Sequence, residues 1–359
     1  MKELVVISGK GGTGKTSIAA SLAVLAGRCV IADCDVDAAD LHLVLTPRIR
    51  RREEFRSGHE AIIRQSDCIS CGACVTYCRY DAVLQCSGGH EAAAPRGPHS
   101  ACRSCDLCQR ACSLRTNEIV REMWQASGQG GPPVFVIDPL ACEGCGVCVR
   151  FCPVHAIDFV ERTCGEWFVS ETRCGPLVHA RLGTAAENSG KLVSLIRQNA
   201  RTLAEEHGIE RVLIDGSPGI GCPVIASITG AALALVVTEP TPSGLHDLTR
   251  VGELTRHFGV PTLVCINKWD INPEVSQAIE AHAAAAGMTV AGRIRYDAAV
   301  TQAQIQGKTV VEHTATGCVE DLRSLWVVID SLWSATLPNG HVSSSAVEAN
   351  AAGAEGGAG

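Results

Sequence analysis

The residues with the clearest chemistry form a glycine-rich run near the start of the chain, between an apolar segment and a predicted helix. The run fits the pattern G-x-x-x-x-G-K-[ST], and its members, with the residue that follows, are Gly9, Lys10, Gly11, Gly12, Thr13, Gly14, Lys15, Thr16 and Ser17. Such a loop points backbone N–H groups at phosphate oxygens, and the helix that begins near Gly14 adds the positive end of its dipole. Lys15 can reach the β- and γ-phosphates and Thr16 can bind Mg²⁺, so we predict a nucleotide-phosphate site.

Carboxylates follow two apolar segments that read as buried strands. Asp33 ends the predicted strand 29–33, and Asp35 lies two residues beyond it. Asp215 ends the predicted strand 211–215. Open α/β sheets bind their ligands at the carboxyl ends of strands. An aspartate in such a position can instead cap a helix. Because both segments accompany a phosphate-binding loop, we favour a role at the nucleotide.

A short polar segment, Asn267-Lys268-Trp269-Asp270, follows the apolar strand predicted at 263–266. It looks like the N-K-x-D motif with which GTPases recognise guanine, where the aspartate accepts hydrogen bonds from the base. The motif is short, so ATP and GTP both remain open, with ATP favoured.

The chain has 20 cysteines, and most of them lie between residues 60 and 164. Two runs share the spacing C-x₂-C-x₂-C-x₃-C: Cys68, Cys71, Cys74 and Cys78, and Cys142, Cys145, Cys148 and Cys152, the second followed by Pro153. In bacterial ferredoxins the fourth cysteine of each such run binds the other cluster of a pair. We therefore predict one 4Fe–4S cluster on Cys68, Cys71, Cys74 and Cys152, and a second on Cys142, Cys145, Cys148 and Cys78. Zinc is the alternative metal, although it prefers two separated C-x₂-C pairs.

A third run has the same spacing but lacks the proline: Cys102, Cys105, Cys108 and Cys112. A third cluster, zinc and an unmetallated loop all remain open for it. Cys86 and Cys164 are candidate spare ligands. The isolated Cys29, Cys265 and Cys318 read as core residues, because free cysteine is usually buried.

The elements that must position these residues alternate between apolar strands and helices. Strands are predicted at 4–7, 29–33, 211–215, 233–238 and 261–266, and helices at 17–26, 188–206 and 319–333. This alternation predicts a doubly wound, mostly parallel α/β sheet interrupted by a cysteine-rich, ferredoxin-like α+β insert. We divide the chain into a nucleotide-binding domain at 1–59 and 165–335, the insert at 60–164, and a disordered tail at 336–359.

Composition excludes several other classes of protein. The net charge of −7 gives no support for nucleic-acid binding. No apolar run approaches the length of a membrane span, and the chain opens directly into strand and loop without a signal peptide. Twenty cysteines without such a signal favour metal ligands in a reducing compartment, so we expect a cytoplasmic protein that does not insert into membranes.

Taken together, these motifs resemble MinD-superfamily P-loop ATPases that contain an inserted ferredoxin domain, a class that includes MinD, ParA and the nitrogenase iron protein. KGGTGKT resembles the deviant Walker A loop of that class, and D-x-x-P-G at Asp215–Gly219 resembles its Walker B and switch II segment. The resemblance extends nearly to residue 335 and includes GPLVHARL at 175–182, ENSGK at 187–191, and TEPTPSGL at 238–245. The third cysteine run departs from the group, which usually has two cluster motifs.

The resemblance implies roles for individual residues. Lys10 matches the lysine that crosses a homodimer interface to the partner's nucleotide, and Asp35 matches the switch I aspartate that positions water. Asp215 would hold Mg²⁺ through water, and Gly219 could follow the γ-phosphate. The catalytic set expected is therefore Lys10, Lys15, Asp35 and Asp215, in a homodimer.

The function predicted is an ATP hydrolase whose nucleotide cycle drives electron transfer or redox maturation, with a redox protein or an iron–sulfur client as partner. The insert leaves the core shortly after Asp35, so movement of that segment would pull on it. Two alternatives remain: an iron–sulfur carrier or scaffold, and a GTP-dependent metallocentre chaperone. Known scaffold members carry a C-x-x-C near the C-terminus, where this chain has only Cys318.

Overall fold

The structure is a computed structural model that describes residues 1–86, 132–183 and 188–335. The chain divides into two compact units, the first made of Met1–Phe55 with Gly165–Gly359 and the second of Arg56–Cys164. The run from Cys102 to Cys112 and the predicted tail at 336–359 lie outside the described residues.

The strands of the described chain alternate with helices in the first unit and are short in parts of the second. In chain order the strands are β1 (Lys2–Ser8), β2 (Val30–Asp33), β3 (Arg48–Ile63), β4 (Val83–Cys86), β5 (Val134–Ile137), β6 (Ile157–Thr172), β7 (Gly175–Leu182), β8 (Arg211–Pro218), β9 (Leu233–Thr238), β10 (Thr262–Asn267) and β11 (Thr289–Ile294). The helices are α1 (Lys15–Ala26), α2 (Leu41–Leu45), α3 (Ala73–Tyr77), α4 (Val147–Arg150), α5 (Ser189–Glu206), α6 (Cys222–Ile228), α7 (Pro242–His257), α8 (Pro273–Ala285), α9 (Ala299–Ile305), α10 (Val310–His313) and α11 (Cys318–Ala335).

Nine of the described strands form one sheet, in the order β11-β10-β9-β1-β8-β2-β7-β6-β3. From β11 to β7 neighbouring strands run parallel, and β6 pairs with β7 antiparallel. The mostly parallel α/β sheet predicted from the sequence is therefore confirmed. Its central strands read as nearly continuous apolar runs because they are buried on both faces.

The register of the central strands brings the polar strand ends together. Asp215 on β8 lies opposite Val6 on β1 and opposite Asp33 on β2. Parallel strands end at the same edge of a sheet, so the loops after β1, β2 and β8 share one edge. That edge is where open α/β sheets bind ligands.

The core on one side of this sheet is made by α1 and α11 with apolar strand residues. Leu22 of α1, Leu213 of β8 and Trp333 of α11 are all essentially without solvent exposure. Each fully buried side chain of this size contributes about 1.5–3 kcal/mol relative to exposure. The first helix, which follows the phosphate-binding loop, is therefore held firmly against the sheet.

The second unit has a small core of its own. Strands β4 and β5 pair antiparallel, with Val83 opposite Ile137, and helices α3 and α4 pack together. Cysteines of both predicted cluster motifs pack against this core. Each helix follows a glycine in the left-handed conformation, Gly72 at φ 74° and Gly146 at φ 71°, so the two motifs share one local backbone design.

The long strands β3 and β6 differ from what the sequence analysis expected. Both have 16 residues, and neither is among the strands predicted from the sequence. The segment of β3 from Arg48 to Glu54 is polar and largely exposed, so it lacks the hydrophobic pattern by which a strand is recognised. Its place at the edge of the sheet explains this composition, because an edge strand can face water.

Candidate functional site

The phosphate-binding loop connects β1 to α1, and its shape requires glycine. Gly14 has φ 87°, in the left-handed region, and a Cβ at this position would lie 2.4 Å from Nδ2 of Asn267. Any other residue would therefore be strained and would also displace Asn267. The absence of a side chain at Gly14 therefore lets Asn267 pack against the loop.

Asn267 and Lys268 contact the loop from the end of β10. The Asn267 amide donates to the carbonyl of Thr13 at 2.7 Å, and the Lys268 amino group donates to the carbonyl of Gly12 at 3.4 Å. Farther along, Oδ1 of Asp270 accepts from the backbone N–H of Tyr296 at 2.7 Å. The segment predicted to recognise the base thus braces the loop, and its role toward the base stays a prediction.

Lys15 is buried and lies between two carboxylates. Its Nζ is 2.6 Å from Oδ1 of Asp215 and 3.2 Å from Oδ2 of Asp35. Burial alone would lower the pKa of Lys15, but the negative charges of Asp215 and Asp35 outweigh it and raise the pKa, so the ammonium form persists at neutral pH. The structure therefore brings together three of the predicted catalytic residues.

The two aspartates after β2 differ in their surroundings. Burial raises the pKa of Asp35, with Lys15 opposing that effect, and the side chain keeps one-tenth of its surface exposed. Asp33 is fully buried, and its pKa is raised by burial and by the nearby charge of Asp215. Its carboxylate accepts hydrogen bonds from the backbone N–H groups of Asp35 at 3.2 Å and Leu41 at 3.3 Å. Asp33 therefore stabilises the loop that carries Asp35.

The donor set fits Mg²⁺ and phosphate. Among the described residues, Oδ2 of Asp215 and the hydroxyl of Thr13 are buried without a hydrogen-bond partner. An unsatisfied buried polar atom costs about 1–3 kcal/mol, and more for a charged group. A hydrated cation at Asp215 and a phosphate oxygen at Thr13 would satisfy them, and the Thr16 hydroxyl lies 3.4 Å from the Lys15 amino group.

Lys10 is held within its own chain. Its Nζ lies 2.5 Å from Oε1 of Glu239, 3.0 Å from the Ser243 hydroxyl and 3.4 Å from the Thr241 hydroxyl. Lys268 approaches the second oxygen of Glu239 at 3.6 Å. Glu239 follows β9, and the sequence analysis placed it in the TEPTPSGL motif without assigning it a role.

The turn after β8 is tied to the end of β1. Gly219, at φ 91°, donates its backbone N–H to the carbonyl of Ser8 at 2.8 Å, and the Ser217 hydroxyl donates to the carbonyl of Cys34 at 2.8 Å. The Ser17 hydroxyl on α1 accepts from the Gln304 amide at 2.8 Å. The bonds made by Gly219 and Ser217 connect the turn to the segments that carry Lys10 and Asp35.

A cavity of about 860 Å³ opens beside the loop after β2 and was not foreseen from the sequence. Its walls include Asp37, His42, Phe168 and His179. The His179 ring stacks on Phe168 with centroids 5.0 Å apart and hydrogen-bonds the Ser170 hydroxyl at 2.9 Å. Burial lowers the pKa of His179 to about 4, and the neighbouring His42 and Arg181 add to the effect, so this ring is neutral at pH 7.

In the second unit, two hollows are each lined by four cysteines. The first is lined by Cys68, Cys71, Cys74 and Cys152, and the second by Cys78, Cys142, Cys145 and Cys148. Each hollow thus combines three cysteines of one run with the fourth of the other. Measured in the same way as the cavity of 860 Å³, each hollow has a volume of about 20 Å³.

The thiols have neighbours that suit metal-bound sulfur. Backbone N–H groups donate to the sulfur of Cys68 from Ser70 at 3.4 Å and to that of Cys152 from Ala156 at 3.2 Å. Burial raises the pKa of Cys74 to about 12, so its free thiol stays protonated at neutral pH.

In the described chain, no group of three or more histidine, cysteine or acidic side chains has the geometry of a site for one metal ion. A single ion needs ligands about 2.0–2.3 Å from one point, whereas a four-iron cluster spreads them over separate irons.

The other cysteines have varied positions. Cys29, Cys265 and Cys318 are buried in the core, which confirms their prediction as core residues. Cys164 is also buried, and its thiol donates to the carbonyl of Ser57 at 3.0 Å, which does not favour the role of spare ligand. Cys86 ends β4, and its side chain lies outside what the structure describes.

Comparison with known proteins gives the family of the chain. The model of the CobQ/CobB/MinD/ParA nucleotide binding domain matches residues 4–310, well over half of the chain. The chain belongs to the CobQ/CobB/MinD/ParA family. It is therefore a nucleotide-binding protein, and the predicted resemblance to the MinD and ParA class is confirmed.

Individual proteins differ in how much of this chain they match and in their sequence identity to it. The uncharacterised protein MJ0578 of Methanocaldococcus jannaschii is 31% identical over 276 residues, which are 75% of this chain and 79% of that protein. The cell division ATPase MinD of Pyrococcus furiosus is 17% identical with a TM-score of 0.47, covering 92% of this chain and 99% of that one. A stretch of 69 residues is 32% identical to one subunit of the ferredoxin:CoB-CoM heterodisulfide reductase of Methanosarcina mazei, covering 17% of this chain and 9% of that subunit.

We also compared the described helices with the length and hydropathy that a membrane-spanning helix needs. None of them combines the length and the apolar character that a membrane span needs.

Proposed function

We propose that this protein is a nucleoside triphosphatase, with ATP as the favoured substrate, whose nucleotide cycle is coupled to 4Fe–4S clusters in its second unit. The observation that carries the proposal is the position of Lys15 between Asp215 and Asp35, beside the unpartnered Oδ2 of Asp215. A buried lysine facing two carboxylates at the end of a glycine-rich loop is a ready site for phosphate and a divalent cation.

The chain's own residues account for phosphate binding. The loop from Gly9 to Thr16 offers N–H groups to the phosphate oxygens, with the N-terminus of α1 behind them. Lys15 exchanges its contacts with Asp215 and Asp35 for the β- and γ-phosphates. Asp215, through water, and Thr16 would then hold Mg²⁺, for which Oδ2 of Asp215 has no other partner. Bound there, Mg²⁺ would neutralise charge on the phosphates.

Hydrolysis also requires an oriented water molecule. Asp35 is the group that would hold it, since its carboxylate is only partly exposed and its loop is fixed by Asp33. Burial raises the pKa of Asp35, which makes it a better proton acceptor than an exposed aspartate. A homodimer would bring Lys10 of each protomer to the nucleotide of the other, after release from Glu239.

Two 4Fe–4S clusters fit the second unit. Each hollow presents four thiols, and the ligand sets cross between the runs as in two-cluster ferredoxins. Backbone donors to Cys68 and Cys152 and the apolar core nearby are features that tune such clusters. The clusters would supply one-electron transfer, and the similarity to a heterodisulfide reductase subunit agrees with that chemistry. We leave a third cluster at Cys102–Cys112 open.

An iron–sulfur carrier is the second candidate, and one observation favours it. Cys71 and Cys145, one thiol of each hollow, are exposed, so an acceptor protein could reach a cluster there. Cargo clusters should be lost to a chelator and pass to an apo-ferredoxin, whereas electron-transfer clusters should resist both. The exchange of the anaerobic protein with bathophenanthroline and apo-ferredoxin therefore separates the two candidates.

The choice of nucleotide concerns the third candidate, a GTP-dependent metallocentre chaperone. Equilibrium binding of ATP and GTP to wild type and Asp270→Ala tests it. We expect tighter ATP binding, little changed in the variant. Tighter GTP binding that Asp270→Ala abolishes would reverse this conclusion.

The experiment that tests the proposed function is a joint measurement on anaerobically purified protein. We expect Mg²⁺-dependent ATP hydrolysis, together with about eight irons per chain for two clusters, or about twelve if the third run is filled. Lys15→Ala should lose hydrolysis and keep its iron. Absence of hydrolysis would refute the nucleotide half, and zinc in place of iron would refute the cluster half.

A further inference from the structure

Exposed apolar side chains concentrate in the second unit. Of the eighteen large apolar side chains exposed in the described chain, ten lie between Arg56 and Cys164, although the described residues of the first unit are far more numerous. Scattered exposed apolar residues need no explanation, but a local concentration marks an interaction site. The following inference rests on the proposed clusters and concerns the protein that exchanges electrons with them.

Two of these exposed apolar side chains are aromatic rings that stack on each other. Tyr77 and Phe151 stack with centroids 4.2 Å apart, yet they remain 45% and 47% exposed. Tyr77 directly precedes Cys78 and Phe151 directly precedes Cys152, the two cysteines that cross between the hollows. The stacked pair therefore lies next to one ligand of each proposed cluster.

The apolar surface continues around the first hollow. Ile69, Val75 and Val154 are 38–40% exposed, and Ile69 and Val154 line the hollow of Cys68, Cys71, Cys74 and Cys152. No charged side chain lines this hollow among the described residues, whereas Glu143 lines the second one. We call Ile69, Val75, Tyr77, Phe151 and Val154 the ring surface. Cys71, an exposed thiol, lies within the same run as Ile69 and Val75.

Two arginines lie close to the rings in sequence: Arg79 follows Tyr77 by two residues, and Arg150 directly precedes Phe151. Arg79 and Arg150 are exposed, and within the described chain neither forms an ion pair or a hydrogen bond through its side chain. Arg64 in the same unit behaves differently, since Asp67 and Asp158 neutralise it. Asp81 is the acidic residue nearest in sequence to Arg79. Two exposed arginines without ion pairs, one within two residues of each ring in sequence, suit a partner whose docking face is acidic at its rim.

We infer that the ring surface is the docking site for an acidic electron-transfer protein, and that electrons pass through the cluster of Cys68, Cys71, Cys74 and Cys152. The apolar centre would exclude water between the redox centres, while Arg79 and Arg150 orient the partner. Such a complex is transient and small, so charges at its rim affect mainly the association rate. One electron leaves the reduced cluster and reduces the partner's cofactor, with no other reactant.

The test is electron transfer from the anaerobic, dithionite-reduced protein to flavodoxin, an acidic flavoprotein, by stopped flow at low ionic strength. The variant Arg79→Glu/Arg150→Glu should lower the second-order rate constant about tenfold, and added salt should lower the wild-type rate toward that of the variant. Reduction of basic cytochrome c should instead become faster in the variant. Arg323→Glu, a reversal of an exposed arginine on α11, is the matched control and should leave both rates unchanged.

A second variant tests the apolar centre. Val75→Asn, at a ring-surface residue that lines neither hollow, should lower the rate to flavodoxin severalfold, while oxidation by the small neutral p-benzoquinone stays at the wild-type rate. Iron content and the reduced-cluster spectrum must match wild type in every variant. Unchanged flavodoxin rates in spectroscopically intact variants would overturn the docking site alone. Absence of clusters from the wild type would overturn the proposed function and this inference with it.

Discussion

The amino group of Lys10 lies 2.5 Å from Oε1 of Glu239, so the lysine proposed to act on a partner's nucleotide is bound within its own chain. The Lys10 side chain is 32% exposed and that of Glu239 18% exposed, and such partly exposed pairs contribute about 0.2–1 kcal/mol. A contact of this strength holds the lysine without trapping it. Dimer formation must then supply only a small free energy to move it.

The Glu239 contact predicts how a charge-neutral variant behaves. Glu239→Gln removes the ion pair in each protomer, so ATP-dependent dimerisation, followed by sedimentation velocity, should strengthen by up to about fivefold per protomer, which corresponds to ~1 kcal/mol for each released lysine. Lys10→Ala should bind ATP normally but lose turnover or dimerisation. Equal hydrolysis by wild type and Lys10→Ala would eliminate the lysine's role in the partner site.

Lys15 and Asp35 should separate binding from turnover. Lys15→Ala should abolish tight ATP binding in isothermal titration. It should also destabilise the nucleotide-free protein by about 3–5 kcal/mol, because it leaves buried carboxylates unpaired. Asp35→Asn should keep ATP affinity and slow hydrolysis at least tenfold. An Asp35→Asn protein with wild-type turnover would remove the water-positioning role.

His179 predicts a specific loss of stability in acid. Its pKa is about 4 in the folded protein, below its ordinary value of about 6.5, so the unfolded chain binds the proton more tightly and stability falls as pH decreases through this window. Between pH 7 and pH 5 the loss from this residue should be about 2 kcal/mol, measured by urea unfolding. The free energy of unfolding of His179→Leu should therefore fall by about 2 kcal/mol less between pH 7 and pH 5 than that of wild type. His246→Leu is the control, because the His246 side chain is 71% exposed, and it should lose as much stability as wild type. Equal pH slopes in all three proteins would contradict this assignment.

The crossed distribution of the cysteines between the two hollows predicts which proposed cluster a substitution damages. Cys78→Ser should impair the cluster on Cys142, Cys145 and Cys148, although Cys78 belongs to the other run in sequence. Cys102→Ser/Cys105→Ser is the matched control and should leave both ferredoxin-type signals intact in electron paramagnetic resonance spectra. Damage in Cys78→Ser confined to the cluster of Cys68, Cys71 and Cys74 would refute the crossed arrangement.

Local patterns predicted the fold where burial is uniform. Buried parallel strands and phosphate-binding loops need particular residues at fixed spacings, so both can be predicted from the sequence. This applies to the apolar strands β1, β8, β9 and β10 and to the glycine-rich loop. β3 was missed, because its polar first half lies at the exposed edge of the sheet. The sequence also indicated that Asp35 and Asp215 lie at the carboxyl ends of strands, where open α/β sheets bind ligands.

Contacts between distant segments could not be predicted. Asn267 and Thr13 are 254 positions apart, and only the folded sheet brings the amide of one to the carbonyl of the other. The same holds for Lys10 and Glu239, because a single lysine and a single glutamate carry no pairing signal in sequence. The neutral ring of His179 likewise depends on burial that its local sequence does not show.

The central claim is that the nucleotide state affects the clusters, and a redox titration tests it most directly. The reduction potentials of the anaerobic protein should be measured without nucleotide, with ADP and with ATP, using Lys15→Ala as the control that cannot respond. We predict that ATP shifts at least one potential in wild type; a shift of about 59 mV would be a tenfold change, or ~1.4 kcal/mol, within ordinary allosteric coupling. Identical potentials in all three states would contradict the account, because the two units would then be joined without being coupled.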